Sequence, residues 1–340
     1  MKETNTRAAF IMPVKISGSE RDLRFLHESV ESLKAQTDKD WVLIMVDDFS
    51  DNEKVTAALE EIKADLKERA DVIHLEKNVG AGQARNVGVK RAEELGAPFI
   101  LFNDSDDNSD PRRLELCRKA FEDETVNVVY SSFDIIDENG NVRSPEGINM
   151  SVQEILDGHK VDIVEGEDAW IQIATKKKYT NQTSSTAVRT SIAVKTPFPK
   201  RSVSEDSHTW VRYGAYPGKF VFLRDIKNSY RICTDQQSRS RSLYDDFYDQ
   251  MAAVDIEGFE EAMKLAKSFG RVKPEDEDGI RRAFYVRLAL SEYHGGADSV
   301  GEKLLRKACE ISHDKTLEDI ARLHCGESYR EKMRSFVETL

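Results

Sequence analysis

The chain has 340 residues, 39% of them hydrophobic and 33% charged, and a formal net charge of -12. That length allows one large domain with an appendage or two ordinary domains, and the acidic balance opposes binding to nucleic acid or an anionic membrane surface, both of which need a basic footprint. No apolar run approaches the ~20 residues that cross a bilayer, and the four dispersed cysteines form no metal pattern, so the sequence predicts a cytoplasmic protein that meets any membrane peripherally, at its inner face.

Short apolar runs alternate with amphipathic stretches over the first hundred residues or so, the pattern of β-α-β units around a mostly parallel sheet. Ala8 to Val14 reads as the first strand. Asp22 to Gln36 places Leu26, Val30 and Leu33 on one helical face. Trp41 to Val46 is a second buried strand with Asp47 and Asp48 at its carboxyl end, followed by a helix from Glu53 to Arg69 and a short strand from Val72 to Leu75. A helix from Gln83 to Leu95 precedes the strand Phe99 to Phe102, which runs into Asn103-Asp104-Ser105-Asp106-Asp107. Val126 to Phe133 is a further strand, and Asp137-Glu138-Asn139-Gly140 reads as a hairpin turn. The stretch from Ser144 to Lys178 has no clear period. Beyond Arg241 the pattern is helical, with apolar faces at Phe259, Met263 and Ala266, then Ile280, Phe284 and Leu288, then Leu304, Leu305, Ala308 and Ile311. Thr316 with Asp319 has the spacing of a cap before a final helix holding Ile320, Leu323 and Phe336. The expected division is an α/β domain over residues 1-242 and a helical subdomain over 243-340 that contacts an acceptor or forms a homodimer.

Ligands of open α/β sheets bind beyond the carboxyl ends of the strands, and both acidic clusters lie there. Asp104 and Asp106 offer hard oxygen ligands suited to Mn²⁺ or Mg²⁺, which can complete its shell with diphosphate oxygens and water. The competing reading is a loop whose Asp and Asn side chains cap backbone amides. Asp104, Asp106, Asn108, Asp110 and Glu115 also match the ligand spacing of a calcium-binding helix-loop-helix, but Ser109 stands where that loop needs glycine and the preceding element reads as a strand.

Several motifs in order resemble the family 2 glycosyltransferases with the GT-A fold. They begin with Ile11-Met12-Pro13-Val14, continue through Glu28-Ser29 and Gln36-Thr37, and reach Val46-Asp47-Asp48-Phe49-Ser50-Asp51. Asn78-Val79-Gly80-Ala81-Gly82-Gln83-Ala84-Arg85-Asn86-Val87-Gly88 follows, then Asp104-Ser105-Asp106-Asp107 with Pro111 and Leu114. The resemblance covers roughly residues 8-240 and implies a nucleotide-diphosphate sugar donor and a hydroxyl-bearing acceptor.

By that resemblance Asp48 holds the nucleotide base, with uracil favoured, while Pro13 and Val14 shape the same pocket. Arg85 and Asn86 face the donor, against the alternative that Arg85 is in a surface ion pair. Asp104, Ser105 and Asp106 bind the donor diphosphate through the metal. Ser204-Glu205-Asp206 resembles the family's Glu-Asp motif, which makes Asp206 the general base, although an acid there can instead cap the helix that follows. Ser184-Ser185-Thr186 resembles a segment on the acceptor side. Tyr230-Arg231-Ile232-Cys233 resembles the family's Tyr-Arg-x-His segment with cysteine in place of histidine, and Arg239 and Arg241 are candidate phosphate contacts. The Gln-x-x-Arg-Trp signature of processive relatives is absent. The expected reaction is metal-dependent, inverting sugar transfer, with a sugar nucleotidyltransferase or a non-catalytic carbohydrate-binding protein as the alternatives.

Overall fold

The structure is a computed structural model and describes residues 6-144, 148, 150-177, 180-233, 246-323 and 326-340. Its contacts divide the chain into two units.

The first unit comprises Met1–Glu165, Asn181–Ser202 and Gly218–Gln237. Strands β1 (Ala8–Val14) and β2 (Trp41–Asp47) are buried at every position, because helices cover both faces and a parallel sheet then selects unbroken apolar runs. They pair in parallel from Ala8 opposite Trp41 to Val14 opposite Asp47. β3 (Ala70–His74) lies beside β2, and β4 (Phe99–Phe102) lies on the other side of β1, both parallel. The sheet continues from β4 through the antiparallel β7 (Thr186–Arg189) to β5 (Val126–Ile136), which pairs with β6 (Val142–Arg143) and with β8 (Lys219–Arg231). The carboxyl ends of β1, β2 and β4 therefore open side by side, with the acidic loop following β4.

Helix α1 (Glu20–Lys34) begins where the Ser19 hydroxyl accepts the Asp22 N–H at 3.1 Å and buries Phe25, Leu26, Val30 and Leu33. α2 (Glu53–Leu66) is capped by Asn52 and adds Val55, Leu59 and Ile62 to the same core as Phe10, Trp41 and Met45. α3 (Ala81–Glu94) starts after Gly80, whose φ of 88° needs a glycine. The expected hairpin joins β5 to β6, with the Asp137 carboxylate accepting the N–H groups of Asn139 and Asn141. The first unit also holds α4 (Arg113–Phe121), α5 (Met150–Val161) and α7 (Thr190–Lys195).

The second unit comprises Gly166–Thr180, Val203–Pro217 and Ser238–Leu340. It contains α6 (Ala169–Thr175), α8 (Glu205–Ala215), α9 (Phe247–Ser268), α10 (Pro274–His294), α11 (Asp298–Ile311), α12 (His313–Arg322) and α13 (Glu327–Glu338). The sequence reading placed 166-180 and 203-217 in the α/β domain; here they group with the C-terminal helices. The packing gives the reason. Trp170, Trp210 and Tyr213 are buried in this unit, and Gly214 lets α8 approach the Trp170 backbone so closely that an added Cβ would stand 2.8 Å from its nitrogen. Phe259 of α9 stacks on Phe284 of α10 at 3.9 Å between centroids. The expected cap at Thr316 is corrected. Ser312 caps α12, Thr316 lies inside it with its hydroxyl donating to the Ser312 carbonyl, and Asp319 pairs with Arg282 at 2.7 Å. The final apolar stretch forms two helices rather than one, with Leu323 at the end of α12. No helix among the described residues is long and apolar enough to cross a membrane.

Candidate active site

The acidic loop is held from beneath by a buried amide. Asn103 has no exposure, and its Nδ2 donates to the Ser29 hydroxyl at 3.0 Å and to the carbonyls of Asp104 and Asp107 at 3.1 and 3.2 Å. Its Oδ1 accepts from Arg113, a guanidinium that also donates to the carbonyls of Phe102 and Thr186. Burial pulls the Arg113 pKa down to about 10. The loop then alternates, with Asn103, Ser105 and Asp107 buried and Asp104 and Asp106 partly exposed. The loop is a tight turn, closed by the Asp107 N–H donating to the Asp104 carbonyl at 3.2 Å, and it leaves the two expected metal ligands partly exposed between buried neighbours.

The inner carboxylate is Asp107. Its oxygens accept the Arg231 N–H and the Gln182 amide, each at 2.9 Å. Burial, and after it the charges of Asp106 and Asp104, push its pKa well above the ordinary carboxylate value. Ser184 accepts the Asp104 N–H at 2.8 Å and also bonds the Asp107 carboxyl. Arg231 reaches in from β8, donating from Nε to the Asp106 carbonyl, from Nη1 to the Asp137 carbonyl and from Nη2 to Glu28 at 2.7 Å. Gln36 ties the far end of the loop, donating to the Asp110 carbonyl and accepting the Leu114 N–H. Ser29, Gln36, Asn103, Arg113, Gln182 and Arg231 had no role in the sequence reading. The signals were Glu28-Ser29, Gln36, Asn103 and Tyr230-Arg231, which stood in the quoted motifs without a stated purpose for these side chains.

Arg85 forms an ion pair, but a buried one rather than the surface pair weighed against a donor contact. It is buried, and its Nη2 lies 2.7 and 3.0 Å from the two carboxylate oxygens of Asp104, so the ion pair is part of the acidic loop. Both ends of the Asn86 amide engage the Phe198 backbone. Its Nδ2 donates to the Phe198 carbonyl and its Oδ1 accepts the Phe198 N–H, at 2.9 and 2.8 Å. Pro13 and Val14 are buried in β1, and the Val14 carbonyl accepts the Asp48 N–H. The Asp48 carboxylate accepts the N–H groups of Val79 and Gly80 at 2.6 and 2.9 Å, which fixes the turn into α3. Each oxygen keeps a second lone pair for an incoming donor. Asp47 braces the loop after β2, with one oxygen on the Ser50 N–H and the other 3.0 Å from His74.

Asp206 lies in the second unit, in the first turn of α8, with its Oδ1 accepting the Ser207 N–H at 2.8 Å. Ser204 before it has a φ of 52°, left-handed for a residue with a side chain, and makes no side-chain cap. In the first unit, the Ser185 and Thr186 hydroxyls both donate to the Gln182 carbonyl. Cys233 is buried. Arg239 and Arg241 lie outside the described residues.

Two places offer metal ligands. Asp104 and Asp106 offer hard carboxylate oxygens of the kind that Mn²⁺ or Mg²⁺ takes, near the buried Asp107. The second place, in the helical unit, is a candidate metal-binding cluster of His208 from α8 with Glu257 and Glu261 from α9, whose ligand atoms lie within 4.8 Å of one another. Glu261 there also pairs with Arg212 at 3.1 Å. Sequence reading missed this cluster because α8 and α9 are far apart in the chain and the i,i+4 acids of a helix usually face solvent.

A family model described as "Glycosyl transferase family 2" matches residues 10–184, more than half of the chain. The chain belongs to glycosyl transferase family 2. The matched segment of this family 2 chain contains the whole acidic loop and the Asp48 and Arg85 positions. An uncharacterized glycosyltransferase of Methanocaldococcus jannaschii is 29% identical over 211 residues, which span 62% of this chain and 66% of the relative. Among solved structures, S. aureus TarS 1-349 in complex with UDP is 18% identical with a TM-score of 0.52, the match covering 98% of this chain and 92% of that one. Mannosyltransferase PcManGT from Pyrobaculum calidifontis, in complex with GDP-Man and Mn²⁺, is 16% identical with a TM-score of 0.54, covering 99% and 86% of the two chains. At these identities the structural likeness establishes the fold, which is GT-A-like as expected, with a central mixed sheet and a C-terminal helical region.

Proposed function

We propose that this family 2 chain transfers a sugar from a nucleoside diphosphate donor to an acceptor hydroxyl, with inversion at the anomeric carbon. The observation that carries this reading is the acidic loop. A buried frame of Asn103, Arg113 and Arg231 holds it at a strand end while Asp104 and Asp106 stay partly exposed. UDP is the favoured nucleotide, in keeping with the UDP bound by TarS, and GDP is next, as in PcManGT. Cytoplasmic location, peripheral membrane contact and a homodimer through the C-terminal helices belong to the same reading.

In this proposal Asp104 and Asp106 would hold Mn²⁺ or Mg²⁺, which would supply charge neutralisation to the departing diphosphate. Asp48 accepts a hydrogen bond from the base, using lone pairs left beside those that bind Val79 and Gly80. Arg85, paired with Asp104, offers a guanidinium that suits a phosphate oxygen as well as a carboxylate. Asn86 acts at one remove, fixing the Phe198 backbone. Asp206 removes the proton of the attacking hydroxyl; the left-handed Ser204 before it is the kind of backbone strain that collects at working positions.

The test is Asp206→Asn, which keeps the shape and loses proton acceptance. It should leave nucleotide binding intact and lower transfer by about 10²- to 10⁴-fold, read as UDP released from UDP-sugar in the presence of an active acceptor. Near-normal transfer would remove Asp206 as the base, and a product of retained anomeric configuration would contradict direct displacement. Pyrophosphate released from a nucleoside triphosphate would favour a nucleotidyltransferase instead.

A further inference from the structure

Phe49 carries two costs that the fold alone does not explain. Its φ is 58°, in the left-handed region that a side chain with a Cβ adopts at an energetic penalty and that glycine or asparagine would occupy easily. The residue is also 40% exposed, one of the few large hydrophobic residues left open to solvent among the described residues. The loop around it is firmly built. The Asp47 carboxylate accepts the Ser50 N–H at 2.9 Å, the Ser50 hydroxyl accepts the Ile16 N–H at 3.4 Å, and the Lys15 amine donates to the Phe49 carbonyl. Lys15 directly follows β1, and its ammonium stands 5.8 Å from the centroid of the Phe49 ring. A strained, exposed aromatic beside a cation thus sits at the carboxyl ends of β1 and β2, one residue past Asp48.

We infer that Phe49 is a stacking face for the nucleobase of the donor, a proposal that rests on reading these strand ends as a nucleoside diphosphate site. Every base has a π-face, so a phenyl ring contributes affinity without choosing among bases, while the hydrogen bond to Asp48 does the choosing. Lys15 beside the ring adds positive charge to the mouth through which an anionic donor enters. The left-handed backbone turns the ring outward, where a glycine at this position would relieve the strain and leave the base without a partner.

Phe49→Gly and Phe49→Tyr separate these roles. Titration calorimetry in Mn²⁺ with UDP, GDP and pyrophosphate should show Phe49→Gly weakening UDP and GDP by a common factor, roughly 5- to 100-fold, and leaving pyrophosphate unchanged. Phe49→Tyr should restore most of the loss, and thermal unfolding should show the glycine variant melting no lower than the parent. UDP affinity unchanged in Phe49→Gly, a matching loss for pyrophosphate, or failure of tyrosine to restore binding would overturn the stacking role. A parent protein that binds none of the nucleotides would sink the site reading itself, which distinguishes that failure from one confined to Phe49.

Discussion

Asn103 shows how a single buried amide holds the acidic loop in place. It makes three donations and accepts from Arg113, all out of water, and a buried group deprived of its partner costs the full desolvation penalty. Asn103→Ala should therefore lower stability by about 2 to 4 kcal/mol in urea unfolding and weaken metal-dependent nucleotide binding as well; a variant with parental stability would contradict the frame. Cys117 gives a pH-dependent prediction. Burial pushes its thiol from 9.0 up to about 12, so its folded pKa is raised. The stability that the neutral thiol contributes is complete below about pH 9 and is lost as the pH rises towards 12. At pH 8 it should resist alkylation in the folded protein and react on unfolding, as mass spectrometry of the labelled peptide can show. Residue roles were legible in the sequence only in part. The acidic residues Asp104 and Asp106 are read directly from the sequence after a strand, whereas the bonds of Ser29, Gln36 and Arg231 join residues far apart in the chain. Asn86 illustrates the converse, since position in a motif does not reveal that both ends of its amide are spent on Phe198.

At the scale of elements, the β-strands were the most readable feature because β1, β2 and β4 are buried on both faces and leave uninterrupted apolar runs. The segment from 144 to 178 was not readable. It folds as α5 and the short α6, split between the two units, and so presents no single periodic face. The glycines of the Asn78 to Gly88 stretch have separable purposes. Gly80 supplies a positive φ at the start of α3, while Gly88 permits α3 to press onto β1, since a Cβ there would stand 2.5 Å from Ile11 Cγ2. That contact is a stiff β-branched methyl, which cannot swing aside. Gly88→Ala should cost about 1 to 3 kcal/mol in thermal unfolding. In Gly88→Ala combined with Ile11→Ala the loss should be smaller than the sum of the two single losses, as expected of residues in contact. Simple additivity would show that α3 can retreat from β1 without strain.

At the scale of the whole molecule, the chain crosses between its two units several times, which periodicity along the sequence cannot disclose. The helical character of the tail was legible; the membership of 166-180 and 203-217 was not, because the contacts that recruit α6 and α8 are made with helices far along the chain. Removing residues 243-340 takes α9 to α13 from a unit that still contains Trp170, Trp210 and Tyr213, and should expose apolar surface. The shortened protein should aggregate in light scattering and lose its cooperative unfolding, and a monodisperse fragment with the parent's melting temperature would contradict this division. The central claim, that Asp104 and Asp106 hold a cation that binds a nucleoside diphosphate, is tested most directly by titrating UDP into the full chain with Mn²⁺ and with EDTA, for the parent and for Asp106→Ala. The account predicts binding by the parent that requires Mn²⁺ and is largely lost in a variant that still unfolds at the parent's temperature; equal UDP affinity in parent and variant, or affinity indifferent to EDTA, would contradict it.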